Sequence, residues 1–196
     1  MVELTRFQPL IVPAAYYETG NWDLPHVLFP NREFILTWVE DDGKAIMYLD
    51  RDTFDNLNTS KVGWQQQALD NIRQSNYFHR HYKGATKTQP DWIAFLNDED
   101  VISSSKVLLH FELSRIFPEG YYVAIPDRAC GIIVSSQCSG EILVEVQQMI
   151  ERLYNDATTP MSPNLYPAAD FQLPTGWSEP LKGDSTSAAI LSLFGS

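Results

Sequence analysis

The first group in this sequence that could do chemistry is an acid next to an arginine, Asp127 and Arg128, directly after Pro126. Such a pair can bind an anionic or polar group through the planar guanidinium donors, with the carboxylate orienting them. The other interpretation is a plain turn, in which the proline sets the backbone and the aspartate bonds nearby amides. The sequence favours the turn and leaves the ligand-binding interpretation open.

A second group is the pair His79 and His81, which stand two positions apart. On a strand they would share a face and could offer two imidazoles to a metal ion. No third ligand follows at a recognisable spacing, and no His-Glu-x-x-His or Cys-x-x-Cys pattern supports a site. Two surface histidines beside Arg80 and Lys83 are therefore the favoured interpretation, and no metal is expected.

The common catalytic and cofactor motifs are absent from the sequence. It contains no Gly-x-Ser-x-Gly nucleophile turn, no glycine-rich phosphate loop and no calcium-loop spacing. Cys130 and Cys138 are expected to be free thiols, since a strand between them would hold them too far apart for a disulfide. We therefore expect no cofactor and favour a protein without catalytic activity.

Charge and hydropathy limit the classes of partner. The 196 residues carry 25 acidic and 14 basic side chains, a formal net charge of −11. The basic surface that nucleic-acid binding needs is missing, although residues 77–87 form one local basic and aromatic stretch. No apolar run approaches the roughly 20 residues of a membrane span, and the first residues do not resemble an export signal. We expect a cytoplasmic protein.

The carboxyl end contains an apolar stretch that needs an explanation. Ile190, Leu191, Leu193 and Phe194 lie close together in a region otherwise rich in serine and glycine. Such a stretch either packs on the protein's own core or contacts a partner, because exposed apolar clusters are unfavourable in water. These four residues are the candidate partner-binding residues, for another protein or for self-association.

The helices and strands predicted from the sequence, which would position these residues, indicate an α+β fold. An antiparallel sheet, built from hairpins around Asp42 and Asp127, would be covered by about three helices. The helices are predicted at residues 61–75, 103–117 and 141–155, with a shorter one starting at Arg51 after the capping residue Asp50 and a polar break at 56–60.

Prolines dominate both ends of the predicted fold. The first 30 residues should form an extended arm with short strand pieces and no helix, and residues 158–177 a long proline-rich tail. We expect one domain over residues 1–177, followed by a carboxy-terminal tail, 178–196, that is flexible or docks.

Four segments between about residues 64 and 166 resemble the YtpQ-like family of uncharacterised bacterial proteins. The segments are a helix with Ala68-Leu69-Asp70-Asn71, a later helix at 105–117, the hairpin sequence Val123-Ala124-Ile125-Pro126-Asp127-Arg128, and Ser162-Pro163-Asn164-Leu165-Tyr166. The resemblance implies an α+β fold and no established activity. Ala129 stands where the family pattern has an acid after the arginine, so that acid's role is absent here or moved to Asp127.

Three functions remain open. The favoured one is a non-catalytic protein-binding or regulatory protein, because catalytic motifs are missing and the charge is strongly acidic. The alternative is a small enzyme or ligand-binding protein with a cleft around Asp127, Arg128, His79 and His81. An acidic mimic of nucleic acid is the third, although the acids are scattered among basic residues.

Overall fold

The computed structural model describes residues 3–19, 24–74, 78–82, 92–96 and 102–174, with only the backbone at 18–19, 78–82 and 92–96. The strands are β1 Phe7–Pro13, β2 Val27–Leu28, β3 Phe34–Asp41, β4 Ile46–Tyr48, β5 Phe78–Tyr82, β6 Trp92–Leu96, β7 Tyr121–Asp127, β8 Cys130–Ser135 and β9 Leu165–Pro167. The α-helices are α1 Ala15–Thr19, α2 Arg51–Ser60, α3 Trp64–Gln74, α4 His110–Ile116 and α5 Gly140–Asn155. Three 3₁₀ helices cover Leu4–Arg6, Ser103–Leu108 and Ala168–Phe171.

The first sheet is organised around β3. Strand β1 pairs along one side of it, and β2 and β4 pair along the other. The predicted hairpin is confirmed: Asp42 accepts the backbone N–H groups of Lys44 and Ala45, and Gly43 has a φ of +80°. A glycine adopts this left-handed conformation without the steric cost that a side chain would add.

Strand β1 corrects the prediction of an extended amino-terminal arm with only short strand pieces. All seven of its residues pair with β3, and the helix α1 follows directly. Pro9 and Pro13 are tolerated because the alternate residues of β1 point their backbone groups away from β3, so no ladder donor is lost. At this outer edge Ile11 N–H donates to Ser105 Oγ at 3.1 Å, and Asn71 Nδ2 donates to Phe7 O at 2.7 Å.

The second sheet has the strand order β5-β6-β8-β7-β9 and is antiparallel throughout. The predicted hairpin around Asp127 is its β7–β8 pair. Part of the proline-rich stretch joins this sheet, since β9 pairs with β7 and Met161 and Ser162 donate their N–H groups to Pro126 and Ile125. The predicted tail is extended over this part, but its pairing with β7 was not predicted.

A 3₁₀ helix, Ser103–Leu108, replaces the first half of the helix predicted at 103–117, and α4 forms the second half. All six of its residues are buried, and it contacts β8, β6 and β7 of the second sheet and β1 of the first. Tight packing explains why it lies so close to β8: a Cβ added to Gly131 would stand 2.7 Å from Val107 Cγ1. The glycine therefore sets the separation between helix and sheet.

Gly131→Ala should destabilise the protein by about 1–3 kcal/mol, because the new methyl group also lies 3.2 Å from the backbone oxygen of Ser104 and overpacks this contact. Urea unfolding measures the effect. Gly140→Ala is the matched control, since a Cβ there meets nothing within 4 Å and the site lies at the start of α5. Equal losses in the two variants would contradict the close-packing explanation.

Capping residues were correctly predicted at two helices. Asp50 Oδ1 accepts Thr53 N–H at 2.7 Å before α2, and Ser139 accepts Ile142 N–H before α5. The predicted polar break at 56–60 is wrong, because α2 continues to Ser60. Two hydroxyls bond back to the backbone there, Thr59 to Asp55 O and Ser60 to Asn56 O, which keeps polar residues inside a helical turn.

The two hairpins belong to different sheets, which corrects the prediction of one sheet built from both. The α+β class is confirmed. One hydrophobic cluster includes residues of both sheets and of α3, and a smaller one lies between β7, β8 and α5. No helix of the described chain has the length and hydropathy to cross a bilayer.

Candidate functional site

Asp127 lies in the β7–β8 turn, and both of its carboxylate oxygens are engaged by backbone. Oδ1 accepts Ala129 N–H at 2.7 Å and Oδ2 accepts Thr159 N–H at 3.1 Å. One bond closes the turn and the other fastens the chain after α5 to it. The structure thus gives Asp127 the arrangement of a turn residue, the second of the two interpretations of its sequence.

The neighbouring arginine points to the first sheet. The Arg128 side chain hydrogen-bonds the hydroxyl of Tyr48 at the end of β4, and both side chains are half-buried. Burial raises the pKa of Tyr48, so its hydroxyl stays protonated at neutral pH. Arg128 is therefore a contact between the sheets, and Asp127 does not orient it.

The other predicted site residues are only partly described. His79 and His81 lie on β5, where their backbones are in register with Phe95 and Ile93 of β6. Their side chains are outside the description, so the predicted cleft with Asp127 and Arg128 stays a prediction. The apolar partner-binding candidates Ile190, Leu191, Leu193 and Phe194 lie outside the described residues altogether.

A buried charged cluster is the main polar feature that the sequence did not predict. Arg73 of α3 donates from Nε to Glu112 Oε1 of α4 at 2.6 Å and from Nη1 to Asp70 Oδ1. All three side chains are at most 2% exposed, and Lys106 of the central 3₁₀ helix is buried at 1%. Burying charges is costly unless they are paired, and this pairing joins α3 to α4.

The sequence carried no pattern that separates this cluster from a solvated helix face. Gln66, Asp70 and Arg73 recur at helical spacing, so they share one face of α3, and polar residues at that spacing usually face water. All three are buried instead, and within the described chain neither carboxamide atom of Gln66 makes a hydrogen bond. Only the tertiary packing of α3 shows where this face lies.

His110 fastens the carboxy-terminal 3₁₀ helix to the core. Its Nε2 lies 2.6 Å from Phe171 O and its Nδ1 lies 2.6 Å from Tyr121 Oη. Because a carbonyl only accepts, Nε2 carries the proton and Nδ1 accepts the Tyr121 hydroxyl. Burial lowers the pKa of His110 and raises that of Tyr121.

The lowered pKa of His110 predicts a loss of stability in acid. The unfolded chain, with a histidine pKa near 6.5, binds the proton more readily than the folded chain. The stability from neutral His110 is complete above that value and is lost as the pH falls through the lower folded-state pKa. Urea unfolding at pH 7.5 and 5.5 should show a larger loss for the wild type than for His110→Gln; equal losses would contradict this role.

The motif segment Ser162–Tyr166 binds the first sheet. Tyr166 Oη donates to Glu33 Oε2 at 2.6 Å, and Ser162 Oγ therefore donates to Tyr166 Oη, also at 2.6 Å. Burial is the main cause that raises the pKa of Tyr166 to about 12, so it remains a donor at neutral pH. Asn164 Nδ2 adds a longer bond to Glu33. This part of the motif ties β9 to the residue before β3.

The acidic segment, residues 40–55, is the described part of the surface best suited to contact a partner. It has six acidic and two basic residues, for a net charge of −4. Hydrogen bonds from the backbone N–H groups of Ala45 and Thr53 are the main causes that lower the pKa values of Asp42 and Asp50, so both stay ionised. Met47 is 52% exposed among these carboxylates and offers an apolar contact.

Aromatic packing fixes α2, which carries two of these six acids. The Phe54 ring lies 4.9 Å from Trp38 and 5.4 Å from Trp64, measured between ring centroids. Asp52 and Asp55 flank Phe54 in the sequence and are both exposed. The acids of α2 thus stand on a helix anchored to the core.

No family model, curated protein or solved structure matches this chain. Within the residues that the structure describes, no three His, Cys, Asp or Glu side chains gather where they could hold a metal ion. The feature that the described geometry offers to a partner is the fixed acidic surface of residues 40–55.

Proposed function

We propose that this chain is a non-catalytic protein-binding or regulatory protein whose acidic segment, residues 40–55, contacts a basic surface of a partner protein. The observation that carries the proposal is the concentration of charge in this segment, −4 of the chain's −11, around the exposed Met47. Complementary charge speeds encounter and selects partners, while an apolar side chain at the centre adds affinity.

A cytoplasmic location is part of the proposal. Cys130 and Cys138 are free thiols, and a reducing compartment keeps thiols in that state. Burial raises the pKa of Cys130 to about 12 and that of Cys138 to about 11, so neither is a ready nucleophile at neutral pH.

We also keep the resemblance to the YtpQ-like family as a proposal. It is supported by the positions of the motif residues: Asn71 and Ser105 bond the outer edge of β1, Asp127 accepts the N–H of Thr159, and Tyr166 bonds Glu33. Each motif residue joins segments that are far apart in the sequence, which is a reason for a fold to retain it whatever the chain binds.

Capture from a lysate of the organism that encodes the chain tests the proposed surface. The intact protein is compared with D52N/D55N, which removes two exposed charges from α2. The matched control is E141Q/E145Q, which likewise removes one exposed charge from the first turn of a helix and one about a turn later, on α5. Partners should be lost with D52N/D55N and kept with E141Q/E145Q, and salt should weaken their binding to the intact protein.

The outcomes separate the alternatives. Equal capture by both variants would overturn the acidic segment as the contact surface. If the partners lost with D52N/D55N are proteins that bind DNA, and the intact protein displaces that DNA from them, the acidic nucleic-acid mimic would be favoured. Self-association through Ile190, Leu191, Leu193 and Phe194 would instead show as a larger mass by light scattering that truncation after residue 177 removes.

A further inference from the structure

The backbone of Arg128 is fixed on both sides. Its N–H donates to Thr159 O at 3.1 Å, and its carbonyl accepts Ser104 N–H at 3.4 Å. The first bond joins the turn to the chain after α5, and the second joins it to the buried 3₁₀ helix. The guanidinium therefore extends from an anchored turn, and less conformational freedom is lost when it binds a ligand.

The guanidinium has no carboxylate partner in the described structure. Arg6 and Arg73 form ion pairs with acids. The Arg128 side chain bonds, among the described residues, only the Tyr48 hydroxyl, and its neighbour Asp127 uses both carboxylate oxygens on backbone N–H groups. A guanidinium only donates, so the Tyr48 oxygen is the acceptor. The chain has 25 acids for 14 bases, yet no acid among the described residues pairs with this half-buried cation.

The Arg128 Nε atom adds a second, independent observation. It is buried and has no hydrogen-bond partner in the part of the chain that the structure describes. Leaving a charged donor unsatisfied is costly, and such atoms in a folded protein call for an explanation. A bound anion on the guanidinium would supply the missing countercharge, and its attraction is screened less at a half-buried site than at the surface.

We propose that Arg128, positioned by Tyr48, is a binding site for an oxyanion, the carboxylate or phosphate group of a small ligand. The site lies where the β7–β8 turn meets β4, so a bound ligand would contact both sheets. Planar donors match the geometry of both anions, which is why the shared oxyanion chemistry is the claim. The site shares Tyr48 with the acidic segment, but the proposal rests on the contacts of Arg128 and does not depend on the partner binding proposed above.

Titrations of the intact protein with sodium phosphate and with sodium acetate, at constant ionic strength, test this site. Calorimetry and the thermal midpoint should both show saturable binding of at least one anion, because a ligand of the folded state raises its stability. The two salts distinguish a phosphate from a carboxylate ligand. Arg128→Gln should weaken binding by at least about tenfold.

Arg115→Gln is the matched control, since Arg115 is an exposed arginine that lies over the Phe111 ring. It should bind the anion as the wild type does. If Arg128→Gln does not fold, Arg128→Lys and Tyr48→Phe replace it. Both should weaken anion binding, because the first removes the planar guanidinium donors and the second removes the hydroxyl that positions them. No saturable binding of either anion, or equal binding by the Arg128 and Arg115 variants, would overturn the proposal.

Discussion

Arg73→Met should cost about 3–5 kcal/mol of folding free energy, a large part of the 5–15 kcal/mol typical of a domain. The substitution removes the cation that lies between Asp70 and Glu112, both at most 2% exposed, and leaves two carboxylates in the interior. The methionine fills similar space, so the loss reports the charge more than the volume. Urea unfolding at neutral pH measures it.

Arg6→Met is the matched control for this prediction. Arg6 also pairs with an acid three residues away, Glu3, but their side chains are 47% and 60% exposed. Exposed pairs contribute under about 1 kcal/mol, so this variant should stay close to the wild type. Similar losses in both variants would mean that burial does not determine the value of the Arg73 pairing.

Trp64→Ala should destabilise the protein by a comparable amount, about 3–5 kcal/mol, because it empties the centre of an aromatic cluster. The Trp64 ring contacts Phe7, Trp38 and Phe54 at centroid distances of 6.1, 5.6 and 5.4 Å. Its Nε1 also donates to Asn58 Oδ1 at 2.9 Å. Thermal and urea unfolding measure the loss.

This variant also tests what holds the acidic segment. Phe54 loses a ring contact, so hydrogen exchange in α2 should increase more than exchange in α5, which packs in the smaller cluster. Val62→Ala is the control at a fully exposed position near Trp64 and should change stability by less than about 0.5 kcal/mol. An equal increase in hydrogen exchange in α2 and α5 would show that Trp64 does not anchor α2.

Local sequence patterns predicted those elements whose formation depends on local residues. The hairpin at Gly43, the cap at Asp50 and the helices α3 and α5 follow from turn residues, capping side chains and apolar spacing. These patterns act over a few residues, and the structure confirms them. The α+β class followed from the mixture of such elements.

Tertiary contacts determined the features that the sequence did not predict. β1 is a full strand despite two prolines because Ser105 and Asn71, far along the chain, bond its outer edge. The two hairpins lie in different sheets, and the buried 3₁₀ helix contacts β1 of the first sheet and β6, β7 and β8 of the second. The charged cluster of Arg73 and the contact between Arg128 and Tyr48 likewise join segments that no local spacing relates.

The most direct test of the proposed function is a ¹H–¹⁵N NMR titration of the intact, labelled protein with an octalysine peptide, for the wild type, D52N/D55N and E141Q/E145Q. The largest amide shift changes should lie in residues 40–55, fall at higher salt, and shrink in D52N/D55N but not in E141Q/E145Q. Changes centred on α5, or equal in all three proteins, would contradict the acidic segment as the surface that binds a basic partner.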